Sequence, residues 1–190
     1  MRKSFSVGLL VAAAMVLAPA AQAGLIGNAG ISWLYPNTST TYASDTITVG
    51  SSLNCPGSSP ICSGFSGSGT QSFGVTSASI TYVSANYSLS SAYASGAFNG
   101  FDFTGLTFAD AGSLANFGLV TNIAGLIPAD VSFTGNSIEI NLQGLPVNGT
   151  FTLNLSETGS SAPEPGSLIP VGAALGGLTL LLFRRRRARA

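Results

Sequence analysis

Ser137-Ile138-Glu139-Ile140-Asn141-Leu142 alternates polar and apolar side chains over six residues, and Thr150-Phe151-Thr152-Leu153-Asn154-Leu155 does the same. Strict alternation gives a segment one wet and one buried face, which is the geometry of a strand. Thr46-Ile47-Thr48-Val49 repeats the pattern upstream. Working outward, further strands are expected over residues 30–35, 72–75, 79–87, 97–104, 119–123 and 131–133. Thr134-Gly135-Asn136-Ser137 reads as a hairpin connection with Gly135-Asn136 at its turn. One short helix is expected over 109–118, where Ala109, Ala111, Leu114, Ala115 and Phe117 make a loose helical stripe. Many short strands with Gly- and Asn-rich turns predict an all-β fold: an antiparallel β-sandwich over residues 24–162 with at most one short helix. No internal repeat of fixed length is evident, which argues against a solenoid.

Charge is distributed unusually. Only 7% of the 190 residues are charged and none is His, against about 25% charged in an average soluble domain. All seven basic residues lie at the ends: Arg2, Lys3, Arg184, Arg185, Arg186, Arg187 and Arg189. The lack of His excludes a Ser-His-Asp triad, a His-ligated metal site and a histidine pH switch. A body without Lys or Arg cannot neutralise phosphates, so nucleic acid is excluded as a partner. Asp45, Asp102, Asp110, Asp130, Glu139 and Glu157 give that body a net charge near minus six.

The two ends read as addresses. Arg2 and Lys3 precede an apolar run over residues 7–17, Pro19 interrupts it, and Ala21-Gln22-Ala23 supplies the small-x-small pattern that signal peptidase accepts. Residues 1–23 are therefore expected to be a helical signal peptide, cut between Ala23 and Gly24. At the other end, Pro163-Glu164-Pro165 leads into an apolar stretch over 167–183 and then the arginine cluster. The stretch is expected to form a transmembrane helix. Clustered arginines stay cytoplasmic, which places residues 24–162 beyond the inner membrane as an ectodomain.

Tripeptide, apolar helix and terminal arginines, in that order over residues 163–190, resemble the PEP-CTERM sorting signal of Gram-negative bacteria. The resemblance implies an exosortase that recognises Pro163, Glu164 and Pro165 and removes the helix. It also implies transient residence in the inner membrane and delivery to the cell surface or an exopolysaccharide-rich extracellular matrix. Proline fixes φ and disfavours helix in the residue before it, so Pro163 and Pro165 are expected to hold Glu164 extended, as proteases bind their substrates. The stretches Ile31-Ser32-Trp33-Leu34-Tyr35-Pro36, Phe98-Asn99-Gly100-Phe101 and Val131-Ser132-Phe133 are also loosely similar to a body domain that recurs among these proteins.

Within the body, residues 50–72 are dominated by Ser and Gly and carry both cysteines, Cys55 and Cys62. In an exported, oxidising compartment the pair is expected to form a structural disulfide that restrains this loop. Its closure is worth about 2–3 kcal/mol. Catalysis has little to stand on, and no catalytic residue, cofactor or metal is expected. Asp102 with Asp110 or Asp130 would be the pair for a polysaccharide hydrolase. Each is isolated in sequence, and Asp102 between Phe101 and Phe103 reads as a wet-face strand residue. No clustered calcium motif occurs. Asn37, Asn86, Asn148 and Asn154 fit N-x-[ST] but are expected bare in a bacterium. Ice binding would need an ordered threonine array, and Thr38, Thr40, Thr41, Thr46 and Thr48 lack a repeating spacing. Carbohydrate binding would draw on Trp33, Tyr35, Tyr82, Tyr87 or Tyr93, whose faces can stack on sugars, although core packing is the expected role of most. The sequence thus predicts an exported, non-enzymatic surface or matrix protein with a structural or adhesive role; the alternatives are a secreted carbohydrate- or ice-binding module and, behind it, a polysaccharide-acting hydrolase.

Overall fold

The computed structural model describes residues 24–65, 69–88, 90–109 and 111–158. The signal segment 1–23, Asp110, and residues 159–190 with the sorting motif, apolar stretch and arginine cluster lie outside the described residues. Among the described residues no helix is long and apolar enough to cross a membrane.

The alternating stretches are strands. In chain order the strands are β1 (Leu25–Ile26), β2 (Asn28–Leu34), β3 (Thr41–Thr48), β4 (Ser51–Cys55), β5 (Thr70–Val75), β6 (Ser79–Ala85), β7 (Gly100–Thr104), β8 (Thr107–Phe108), β9 (Ser113–Thr121), β10 (Val131–Phe133), β11 (Ile138–Asn141) and β12 (Gly149–Thr158). They form one five-stranded sheet in the order β10-β11-β7-β2-β3, another in the order β4-β5-β6-β12-β9, and a two-stranded β1-β8 pair. Every pairing is antiparallel. Ile138 and Ile140 of β11 are fully buried, as are Leu153 of β12 and its near neighbour Phe151, which is 1% exposed. The β10–β11 hairpin closes as the turn residues predict, with Thr134 N donating to Ser137 O at 2.9 Å.

The two large sheets share one core. Phe101 on β7 stands opposite Ile140 of β11 and Trp33 of β2 in the first sheet. Its ring lies 4.9 Å from Phe73 and 5.0 Å from Tyr82, both in the second sheet. Gly100 is required beside it, because the backbone carbonyl of Ile140 occupies the place a Cβ would need.

Two expectations are corrected. The described residues of 109–118 are not helical: β9 begins at Ser113 and pairs along β12 from Ser113↔Thr158 to Thr121↔Phe151. The ladder slips between Ser156 and Glu157, so Leu114 on one side of the slip and Phe117 and Leu119 on the other all turn towards the core. A bulge that changes the phase of alternation leaves apolar residues at spacings of three and five, which mimics a fragment of helical stripe. The Ser/Gly-rich segment 50–72 is also more than loop. It contains β4, paired with β5, and a 3-10 turn at Pro60–Gly64. Neither β4 nor the short strands β1 and β8 has enough alternation of its own to be read.

Candidate functional site

Trp33 is the natural starting point. It faces inward on β2 opposite Ala43 of β3 and Phe101 of β7, and the β2–β3 ladder shifts between it and Leu34. Its ring is only partly buried. The indole Nε1 donates to Asn99 Oδ1 at 2.8 Å. Asn99 is 3% exposed and is held on every side: Nδ2 donates to Ala94 O at 2.9 Å, its N–H to Asn141 Oδ1 at 3.2 Å, and its carbonyl accepts from Leu142 N at 2.8 Å. One buried amide therefore fixes both the indole and the segment around Ala94. A buried polar group left without partners would cost about 1–3 kcal/mol, and here each is met.

Phe65 stacks on Trp33 with ring centroids 4.7 Å apart and planes 20° apart. It is carried there by the cysteine loop. Cys55 and Cys62 form a disulfide with Cα atoms 5.3 Å apart, as expected from the sequence. Inside the loop, Cys62 N donates to Ser59 O at 2.9 Å and Phe65 N to Cys62 O at 3.1 Å. Ile61 is fully buried, and the Ser59 hydroxyl donates to Asp45. The loop is thus pinned at both cysteines, by its own turn and by an apolar plug. Gly64 passes so close that a Cβ would stand 2.6 Å from Trp33 and 3.2 Å from Tyr42, so any other residue would displace the indole ring.

Tyr87 approaches from the other large sheet, just after β6. Its N–H donates to Asn148 Oδ1 at 3.0 Å and its carbonyl accepts from Asn148 Nδ2 at 2.8 Å. The Tyr87 hydroxyl accepts from Gln71 Nε2 on β5. Tyr93 lies deeper, 5% exposed, with its hydroxyl bonded to that of Tyr82. Burial pushes the Tyr82 hydroxyl up to about 12 and that of Tyr93 well above its ordinary value, so both stay neutral.

These groups enclose a cleft of about 300 Å³, lined by the rings of Trp33, Tyr35, Tyr42, Phe65, Tyr87 and Tyr93 with Gly64, Ala92, Ala94, Asn99 and Val147. No lining residue carries a charge at neutral pH. Of the aromatic residues singled out in the sequence, Trp33, Tyr35, Tyr87 and Tyr93 converge on the cleft, while Tyr82 is a core residue behind it. Tyr42, Phe65, Asn99, Gln71 and Asn148 were not legible as its parts. The lone Phe65 inside a Ser/Gly-rich run was the one signal available.

The other candidates disperse. Asp102 sits on the outward face of β7, and its cross-strand neighbour is Glu139, not Asp130. Asp130 accepts from Ile127 N at 3.0 Å and so closes a local turn. Asp102 Oδ1 is shielded from solvent without a hydrogen-bond partner, and burial, reinforced by the Glu139 carboxylate, pushes its carboxyl from 3.8 up to about 6. Thr46 and Thr48 are exposed on β3, whereas Thr40 lies in the preceding turn and donates to Asn37 Oδ1 at 3.1 Å. The threonines thus share no single row. The signal cleavage residues Ala21 and Ala23, the motif Pro163, Glu164 and Pro165, and the arginines Arg184, Arg185, Arg186, Arg187 and Arg189 lie outside the described residues. Gly24 is described: its carbonyl accepts from Ala109 N at 3.1 Å. Compared with protein-family models, curated proteins and solved structures, the chain matches none.

Proposed function

We propose that the chain is an exported protein of the surface or extracellular matrix of a Gram-negative bacterium. Signal peptidase and an exosortase process it, and its β-sandwich ectodomain plays an adhesive part by holding exopolysaccharide in the aromatic cleft. The observation that carries the adhesive reading is the cleft itself: five aromatic rings around one partly open indole. The C–H faces of sugar rings stack on such surfaces, and small-molecule sites are concave and mostly apolar with a few placed polar groups. Export is supported by the terminal segments and by the Cys55–Cys62 bridge, which suits an oxidising compartment. A cut before Gly24 would leave Leu25, the first buried residue among the described ones, and its bond to Ser77 O untouched. The reading calls for no cofactor and no metal.

Two experiments test its two halves. Replacing Pro163, Glu164 and Pro165 with alanine should leave an unprocessed precursor in the inner membrane; processing identical to the wild type refutes the sorting half. In native electrophoresis through gels containing exopolysaccharide, the protein should be retarded and the Trp33→Ala variant should not. Equal migration of the two, with and without polymer, refutes the adhesive half.

A further inference from the structure

The chemistry of the cleft restricts the sugar it can hold. Resting on the carbohydrate reading above, we infer that the cleft takes a single uncharged pyranose unit by its ring face and rejects uronic or sulfated sugars.

Charge decides the class. Residues 24–183 contain no Lys, Arg or His, so no side chain of the body can offer an anionic substituent a positive charge. A carboxylate or sulfate brought against the rings of Trp33 and Phe65 would lose water and gain no counter-charge, which is strongly unfavourable. The acidic body also repels polyanions before contact. An uncharged sugar meets neither obstacle.

Size decides the number of rings. At about 300 Å³ the cleft lies at the lower end of the range for ligand sites, about 300–1,000 Å³, so one ring fills it and the polymer must continue outside. Recognition falls to ring faces and hydroxyls. The indole Nε1 is committed to Asn99, so Trp33 offers its π surface rather than a donor. Tyr42, 60% exposed and tilted 58° to Trp33, supplies an open second wall. The Tyr87 hydroxyl already accepts from Gln71, which leaves its own proton free to donate to a sugar oxygen.

Trp33 is the only tryptophan, so its fluorescence reports on the cleft directly. The full-length protein, kept in a detergent without a sugar headgroup, is titrated with cellobiose, maltose, diacetylchitobiose, digalacturonic acid at pH 7 and the methyl ester of that acid. At least one uncharged sugar should shift the emission saturably and independently of salt, and the ester should bind at least tenfold more tightly than the free acid. Tyr42→Ala should weaken the uncharged sugars at least tenfold with an unchanged Tm. If free acid and ester bind alike, the selectivity is wrong while the carbohydrate reading survives. If uncharged sugars bind the Tyr42 variant as well as the wild type, the ring sits elsewhere and the assignment to this cleft falls. If no sugar of either kind shifts Trp33 and the polymer does not retard the protein, the carbohydrate reading fails and this inference with it.

Discussion

Replacing Asp102 with Asn should stabilise the protein at neutral pH, because this carboxylate is ionised in a place that resists charge. It stands directly across the ladder from Glu139, one of its oxygens is shielded without a hydrogen-bond partner, and the body has no Lys or Arg to offset either charge. Burial, then Glu139, pushes its carboxyl from 3.8 to about 6. A carboxyl whose folded value lies above its unfolded one binds the proton more tightly in the folded state. Between about pH 4 and pH 6 the folded chain therefore holds more of this proton than the unfolded chain, and stability falls as the pH rises through that window. At 1.36 kcal/mol per pH unit the whole displacement corresponds to about 3 kcal/mol. The group is only half-buried, and solvent screening reduces this to about 1 kcal/mol. Asp102→Asn removes the titration while keeping the shape. The variant should exceed the wild type by about 1 kcal/mol at pH 7, or roughly 3–4 °C in Tm for a domain of this size. The two should converge at pH 4. Urea unfolding of both proteins at unit steps from pH 4 to pH 8 measures the difference, in which the acids other than the neighbouring Glu139 cancel. A difference that does not grow with pH, or a variant less stable at pH 7, refutes the reasoning.

Two further outcomes concern the cleft wall. Gly64→Ala places a methyl group 2.6 Å from the Trp33 ring, so the ring must shift; the emission of Trp33 should change and retention by exopolysaccharide should fall, while unchanged emission would show that the contact is slack. Replacing both Cys55 and Cys62 with Ser should lower stability by about 2–3 kcal/mol in thermal or urea unfolding and release Phe65 from Trp33, seen as a red shift and stronger acrylamide quenching in the still-folded protein. Quenching equal to that of the wild type would mean that the buried Ile61, the Ser59–Asp45 bond and the turn hydrogen bonds hold the loop without the bridge.

The all-β class was legible because β11 and β12 carry their own signal. Ile138 and Ile140, then Phe151, Leu153 and Leu155, all face the core in the phase that alternation predicts. Legibility failed where pairing rather than pattern makes the strand. Ser51-Ser52-Leu53-Asn54-Cys55 is a strand because β5 offers it a ladder. Likewise β9 follows β12 through a bulge whose position is set by the partner. The cleft was half legible for the same reason. Trp33, Tyr35, Tyr87 and Tyr93 could be singled out by residue type, but their convergence depends on contacts remote in sequence: Trp33 and Asn99 are 66 residues apart, and Tyr87 and Asn148 are 61 apart. Composition names candidates for a stacking surface. Only register decides which of them meet.

The inward face of the fold also changes character towards the cleft, and this favours the proposal of a site over a packing defect. Deep in the core the inward residues are Phe73, Phe101, Phe103, Ile31 and Ile138, none with a polar atom in its side chain. Around the cleft they become Trp33, Tyr82, Tyr93 and Gln71, each carrying a polar tip where Phe or Leu would pack as well. A polar tip costs stability unless it is partnered. Partners are supplied for most of these atoms: Asn99 for the indole, Tyr82 for Tyr93, and Tyr87 for the Gln71 amide N–H, while Gln71 Oε1 is buried without one. A cavity left by poor packing would expose aliphatic side chains in unrelated orientations. Here the rings are oriented by hydrogen bonds from behind, Gly64 leaves the space that lets a disulfide-pinned loop close one wall, and the Tyr87 hydroxyl keeps a proton to donate. Rigid aromatic walls with a few aimed polar atoms are what an uncharged sugar ring, apolar on its faces and polar at its edge, requires of a partner.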